Sequence, residues 1–184
     1  MTNACRTLDT VSIFALTAPD ALEVLNVCIA KDPDDPYGRS PPDARLPAYC
    51  DNASFTFAVP QENQRQFFGN KGAETLFKEA IAELTRMGGK ELAIDYGPFL
   101  ETNDFMFNGP WLAERLVSVG QFILEEPDAL HPVTREIILG AGKYSAGELI
   151  EGLHRLKELH NQISGLLDSI NVMVVPTAGT IYRI

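Results

Sequence analysis

Little in this chain points to a covalent framework, a membrane span or a polyanion-binding surface. The three cysteines, Cys5, Cys28 and Cys50, are odd in number and form no C-x-x-C pair. That argues against both a disulfide framework and a thiolate zinc site. No apolar run approaches the ~20 residues needed to cross a bilayer. The opening M-T-N-A-C-R-T-L-D-T lacks the apolar stretch of a signal peptide, so a cytoplasmic protein is the default expectation. Lysine and arginine are scarce, 15 against 25 Asp and Glu, and nowhere cluster. A nucleic-acid partner is therefore not expected, and the formal charge of −10 serves solubility.

Familiar catalytic signatures are missing too. There is no G-x-S-x-G, Walker loop or dinucleotide fingerprint. The seven serines are scattered, without a Ser-Ser dipeptide or a Gly/Ser-rich bed. His154 and His160 are six residues apart and do not share a helical face as an i, i+4 metal pair would. They read as surface residues, and His131, before Pro132, as a helix-start residue. Asp32, Asp34 and Asp35 lack the glycine and distal glutamate of a calcium loop. No metal or organic cofactor is expected.

What remains is an alternation of strands and helices within 184 residues, enough for one domain or a piece of a larger one. Val11–Leu16 is β-branched and apolar, the pattern of a buried strand. Thr17-Ala-Pro-Asp20 starts a helix whose apolar face is Ala21, Leu22, Leu25, Cys28 and Ile29, which makes Cys28 a small core residue. Residues 31–53 are a proline-rich surface connection. Phe55, Phe57 and Val59 alternate in a strand over Ser54–Val59. Leu76, Phe77, Ala80, Ile81, Leu84 and Met87 line a helix over Ala73–Met87, closed by Gly88-Gly89. Lys90–Tyr96 is the next strand, and this βαβ order implies parallel neighbours covered by helices. Helices follow from Pro110 to about Leu124, from Pro132 to Leu139 and from Ala146 to about Ile170. A short strand, Asn171–Pro176, comes last. The expected fold is α/β, a mixed sheet covered by helices with a helix-rich second half, in a single unit.

The segment Asn108–Arg115, N-G-P-W-L-A-E-R, is the most informative. Asn108 or Gly109 can cap a helix, and Pro110 fits its first position because the missing N–H has no intrahelical partner there. On that reading Trp111 and Arg115 share a face, and a helix N-terminus beside a guanidinium receives a small carboxylate. Arg115 also fits a structural ion pair, and Trp111 a core position. Glu101, Asp104 and Glu114 lie nearby in sequence as candidate acids or bases.

Several motifs occur here in the order of one known family. A-C-R-T-L-D-T-V-S-I-F-A-L-T-A-P-D-A (Ala4–Ala21), K-D-P-D-D-P-Y-G-R (Lys31–Arg39), F-A-V-P (Phe57–Pro60), N-G-P-W-L-A-E-R, A-L-H-P-V-T-R-E-I-I (Ala129–Ile138) and V-V-P-T-A-G-T-I-Y (Val174–Tyr182) together resemble the amidase-signature enzymes, closest to allophanate hydrolases. The resemblance implies an α/β/α amidase fold and hydrolysis of allophanate to ammonia and carbon dioxide in urea degradation, without a metal or cofactor. It also implies a Lys–Ser–Ser triad in sequence upstream of the A-C-R-T-L-D match, which this chain does not contain. The family places a tyrosine eight residues before the arginine, both on the substrate carboxylate; here those positions are Phe107 and Arg115. Gly109 and Trp111 belong to the same implied pocket.

Two expectations follow. One is a central portion of an allophanate hydrolase-like amidase, carrying part of the pocket for a small carboxylate or amide substrate through Arg115 but inactive alone: an excised piece of a domain, a truncated gene product, or half of a split enzyme that a complementing amidase chain completes. The other is a non-catalytic module derived from an amidase, associating through the Ala146–Ile170 helix. A relative with a different small amide substrate is a variant of the first. Uncovered strand edges and helix faces point to a homo-oligomer or a complementing chain.

Overall fold

The computed structural model describes residues 4–40 and 54–182, so Cys50 and the prolines at 41, 42 and 47 lie outside the described residues. The chain divides into two compact units, Met1–Asp51 with Leu112–Gly142, and Asn52–Trp111 with Lys143–Ile184.

The second unit is built on a parallel sheet. Strand β1 (Phe55–Pro60) is central and flanked by β2 (Gly89–Ile94) and β3 (Val172–Met173), in the order β2-β1-β3. Phe57, Ala58 and Val59 are fully buried, as expected for a strand covered on both faces. Helix α2 (Lys71–Arg86) makes the crossover from β1 to β2. Asn70 caps it by accepting the Ala73 N–H at 3.0 Å. Phe77 and Ile81 then pack on Phe57 and Val59. Gly88, at φ 95°, turns the chain out of the helix through the left-handed region that glycine adopts without strain. The βαβ reading therefore stands, with both strand pairs parallel.

The last strand is shorter than expected. Only Val172–Met173 pairs with β1, at Phe57 and Ala58. Asn171 extends the contact with its side chain, whose oxygen accepts the Thr56 N–H at 2.8 Å. Helix α6 (Ala146–Leu167) opens with a capping box between Ser145 and Glu148 and buries Gly152 and Leu159. His154 and His160 are exposed on it. It stops short of Ile170: Ser169 Oγ donates to the Leu166 carbonyl at 2.7 Å, satisfying a group the helix leaves open.

Helix α3 (Gly97–Asn108) has no counterpart in the sequence reading. It buries no residue fully, which is why no apolar stripe marks it. Glu101 on α3 is gripped by the Arg155 fork of α6 at 2.6 and 2.9 Å. That pair holds the Glu101 carboxyl below its usual range. The Ser145 N–H and hydroxyl do the same for Glu148, as do the Gln64 amide and the Gly97 N–H for Asp95. Carboxyls with folded pKa values below their unfolded values stabilise the fold at neutral pH. The contribution is lost as pH falls through the folded values. The melting temperature should therefore hold above about pH 5 and decline below about pH 4. Circular dichroism checks this, and Glu101→Gln should flatten part of the decline; a steady Tm to about pH 3 would contradict it.

In the first unit, α1 (Ala18–Cys28) starts at Thr17, which accepts the Asp20 N–H at 3.3 Å. Two expectations fail here. Val11–Leu16 forms no strand among the described residues: it has strand composition but no neighbouring strand, and Phe14 and Leu16 are 95% and 100% exposed. Cys28 is exposed rather than core, because only the earlier turns of α1, at Ala21, Leu22 and Leu25, are half-buried. Part of the proline-rich connection is ordered by local turns, in which the Asp32 and Asp35 carboxylates accept the Asp34 and Tyr37 N–H groups. Arg6 lies over the Tyr37 ring, 5.7 Å from its centre. Helices α4 (Leu112–Glu125) and α5 (Pro132–Leu139) pack together. They bury Leu112, Ile123 and Ile138. His131 starts α5 as expected, Nδ1 accepting the Val133 N–H at 3.3 Å.

Candidate functional site

The unit boundary falls inside the N-G-P-W-L-A-E-R segment, after Trp111. Each side is built from its own neighbours.

On the sheet side, α3 runs through to Asn108, which turns its side chain back to Asp104 at 2.7 Å while its carbonyl accepts the Tyr144 hydroxyl. Asn108 thus closes α3 and does not cap the next helix. Gly109 leaves in extended conformation, and α4 begins only at Leu112. Pro110 and Trp111 therefore precede the helix, and the expected shared helical face of Trp111 and Arg115 does not exist.

The small and aromatic residues here have packing reasons of their own. A Cβ on Gly109 would lie 2.6 Å from the Phe105 carbonyl oxygen. Trp111 is half-buried and meets the Phe105 ring edge-on, with centroids 6.0 Å apart and planes at 72°. The same Phe105 ring rests on α6 at Gly152, where a Cβ would come within 2.0 Å of it. Phe107, by contrast, is 48% exposed on the last turn of α3.

On the other side, Arg115 stands half-buried in the first turn of α4. The turn 4–9 folds around the Asp9 carboxylate, which accepts the Ala4 and Cys5 N–H groups at 2.8 and 3.0 Å. Glu114 clamps that turn: its two oxygens accept the Thr7 N–H and hydroxyl, each at 2.7 Å. Cys5, only 5% exposed, comes within hydrogen-bonding reach of the Arg115 guanidinium. Burial pushes the Cys5 thiol up, and the positive charge of Arg115 opposes it. Two motifs far apart in sequence, A-C-R-T-L-D and A-E-R, thus meet. Sequence reasoning had no use for Cys5; its place inside the first quoted motif was the available signal.

The three carboxylates considered as acids or bases are all engaged in the fold: Glu101 with Arg155, Asp104 with Asn108 and Glu114 with Thr7. Sequence reasoning also missed a cavity of about 410 Å³ past the carboxyl ends of β1 and β2. Gln64, Tyr96, Phe99, Asn103 and Thr177 line it, with Tyr96 and Phe99 stacked at 5.2 Å. The end of a parallel sheet is where open α/β folds bind ligands, but no motif announces these residues. Among the described residues no group of three or more His, Cys, Asp or Glu could hold a metal ion. Nor is any helix among them long and apolar enough to cross a membrane.

These elements and motifs place the chain in the amidase family, whose model, described as Amidase, matches residues 1–181. Among curated relatives, the urea amidolyase of Saccharomyces cerevisiae is 33% identical over 177 residues, 95% of this chain and 9% of that protein. The urea amidolyase of Lachancea kluyveri is 30% identical over 177 residues, again 95% of this chain and 10% of that one. The chain thus spans about a tenth of the length of these relatives. Among solved structures, the selenomethionine form of Kluyveromyces lactis allophanate hydrolase superposes with a TM-score of 0.87 at 30% identity. It covers 97% of this chain, which spans 29% of it. The Kluyveromyces lactis urea amidolyase matches with the same TM-score and identity over 11% of its length. In sequence and in fold, the chain resembles a fragment of an allophanate hydrolase.

Proposed function

We propose that this chain is the central part of a cytoplasmic allophanate hydrolase amidase domain, that it receives the substrate carboxylate through Arg115, and that it hydrolyses nothing alone. The observation that carries this reading is the seating of Arg115. Arg115, half-buried in the first turn of α4, follows directly on Glu114, whose carboxylate clamps the A-C-R-T-L-D turn at Thr7, and its charge acts on the Cys5 thiol of that turn. A guanidinium held this way is pre-organised for a carboxylate, and the helix N-terminus favours the same charge. The scissile C–N bond of allophanate needs a nucleophile and a proton relay. The chain has no Ser-Ser dipeptide or Gly-Gly-Ser bed to supply them. The Lys–Ser–Ser triad that the resemblance implies lies outside the residues of this sequence.

The experiment is complementation. The purified chain should release no ammonia from allophanate by itself. It should do so when co-expressed with a Kluyveromyces lactis allophanate hydrolase that lacks the portion matching this chain. Turnover by the isolated chain would overturn the reading.

The resemblance implies a tyrosine at position 107 that donates a hydrogen bond to the substrate carboxylate, which phenylalanine cannot do. Phe107→Tyr should tighten substrate binding by roughly one to two powers of ten, the worth of a hydrogen bond to a charged group. The KM of the complemented enzyme reads this, and an unchanged KM would remove position 107 from the site.

A further inference from the structure

Glu114 is a carboxylate placed directly before the arginine assigned to receive a carboxylate. On electrostatics alone its sign is unfavourable, because it repels the anion that Arg115 attracts. Its field reaches the Cys5 thiol, which burial raises most and the Glu114 charge raises further, against Arg115. Geometry gives the carboxylate its reason. One Glu114 oxygen accepts the Thr7 N–H and the other the Thr7 hydroxyl, each at 2.7 Å, across 107 residues of sequence. A carboxylate that takes two hydrogens from one residue fixes direction as well as distance.

The residue it grips belongs to a turn that is braced within itself. The Asp9 carboxylate accepts the Ala4 and Cys5 N–H groups, and the Cys5 carbonyl accepts the Leu8 and Asp9 N–H groups at 2.9 and 2.7 Å. Thr7 therefore moves only with Cys5, the buried side chain within hydrogen-bonding reach of Arg115. The turn thus engages the first turn of α4 at two consecutive residues, through Thr7 at Glu114 and through Cys5 at Arg115. We propose that Thr7 and Glu114 are positioning residues, whose two-pronged bond sets where the Arg115 guanidinium stands for the substrate carboxylate. Both act through Arg115, so the inference rests on the reading of Arg115 above.

Glu114→Ala removes the clamp, and Thr7→Val removes one of its two prongs. In the complemented enzyme they should raise the KM for allophanate by about tenfold and about threefold, with kcat changed less than about twofold. Thr7→Ser keeps both hydrogens and should recover most of the loss seen in Thr7→Val. The sign is decisive for Glu114, because a purely electrostatic role predicts a lower KM once its charge is gone. A lower or unchanged KM in Glu114→Ala, or a Thr7→Ser enzyme as impaired as Thr7→Val, overturns the positioning role and leaves Arg115 as the receiver. A second readout uses the full chain alone. Cys5, only 5% exposed, should react slowly with iodoacetamide, followed by mass spectrometry of its peptide, and at least about tenfold faster in Glu114→Ala. Equal rates would show that the clamp does not hold the turn, and overturn the proposal too. If the unaltered mixture is inactive, or Arg115→Ala leaves its KM unchanged, the reading of Arg115 fails and the positioning role fails with it.

Discussion

Replacing Phe57 with alanine should cost the sheet unit about 3–5 kcal/mol, the largest stability loss expected from a single side chain. The ring is fully buried on the central strand and packs with Val59, Phe77 and Ile81, the cluster that joins the sheet to α2. Its truncation removes the transfer energy of the ring and leaves a cavity that β1, held by strands on both edges, cannot close. Against a typical domain stability of about 5–15 kcal/mol, that is a large fraction of the total. Urea denaturation should show a lower midpoint with an unchanged slope. Phe55→Ala, at a half-buried position of the same strand, should cost less. A loss below about 1 kcal/mol for Phe57→Ala would mean that this cluster is not the core.

Arg115→Ala should have the largest functional effect. In the complemented enzyme, kcat/KM for allophanate should fall by roughly two to three powers of ten, about 3–4 kcal/mol for a lost forked, charge-assisted contact. Arg115→Lys should recover only part of this, because an ammonium lacks the planar two-donor geometry. A merely structural arginine predicts something else: a lower melting temperature, through loss of the contact with Cys5 and the 4–9 turn, and a normal KM in the folded fraction. Measuring Tm and KM together separates the two.

The legible parts of the fold are those where periodicity and punctuation agree. α2 shows an apolar stripe ended by Gly88-Gly89, and α5 has proline in its first turn. The buried alternation of β1 was equally plain. α3 escaped because Phe99, Leu100, Phe105, Met106 and Phe107 spread over more than one face of it and none is fully buried. Its absence from the reading turned Asn108-Gly-Pro110 into a helix start, when Asn108 in fact ends a helix and Pro110 sits in the turn after it. Val11–Leu16 has the right local pattern for a strand, but pairing is a property of neighbours, and the described chain offers it none. At the candidate site, Arg115 could be singled out from its motif. Its contact with Cys5 could not, because tertiary packing alone brings those two motifs together. The Glu114–Thr7 clamp has the same cause and was hidden for the same reason.

Ammonia release from allophanate tests the central claim most directly, assayed with the chain alone, with the complementing polypeptide alone, and with both together. Release should appear only in the mixture and should nearly vanish when the chain carries Arg115→Ala. Turnover by the chain alone, or full activity of the Arg115→Ala mixture, would contradict it.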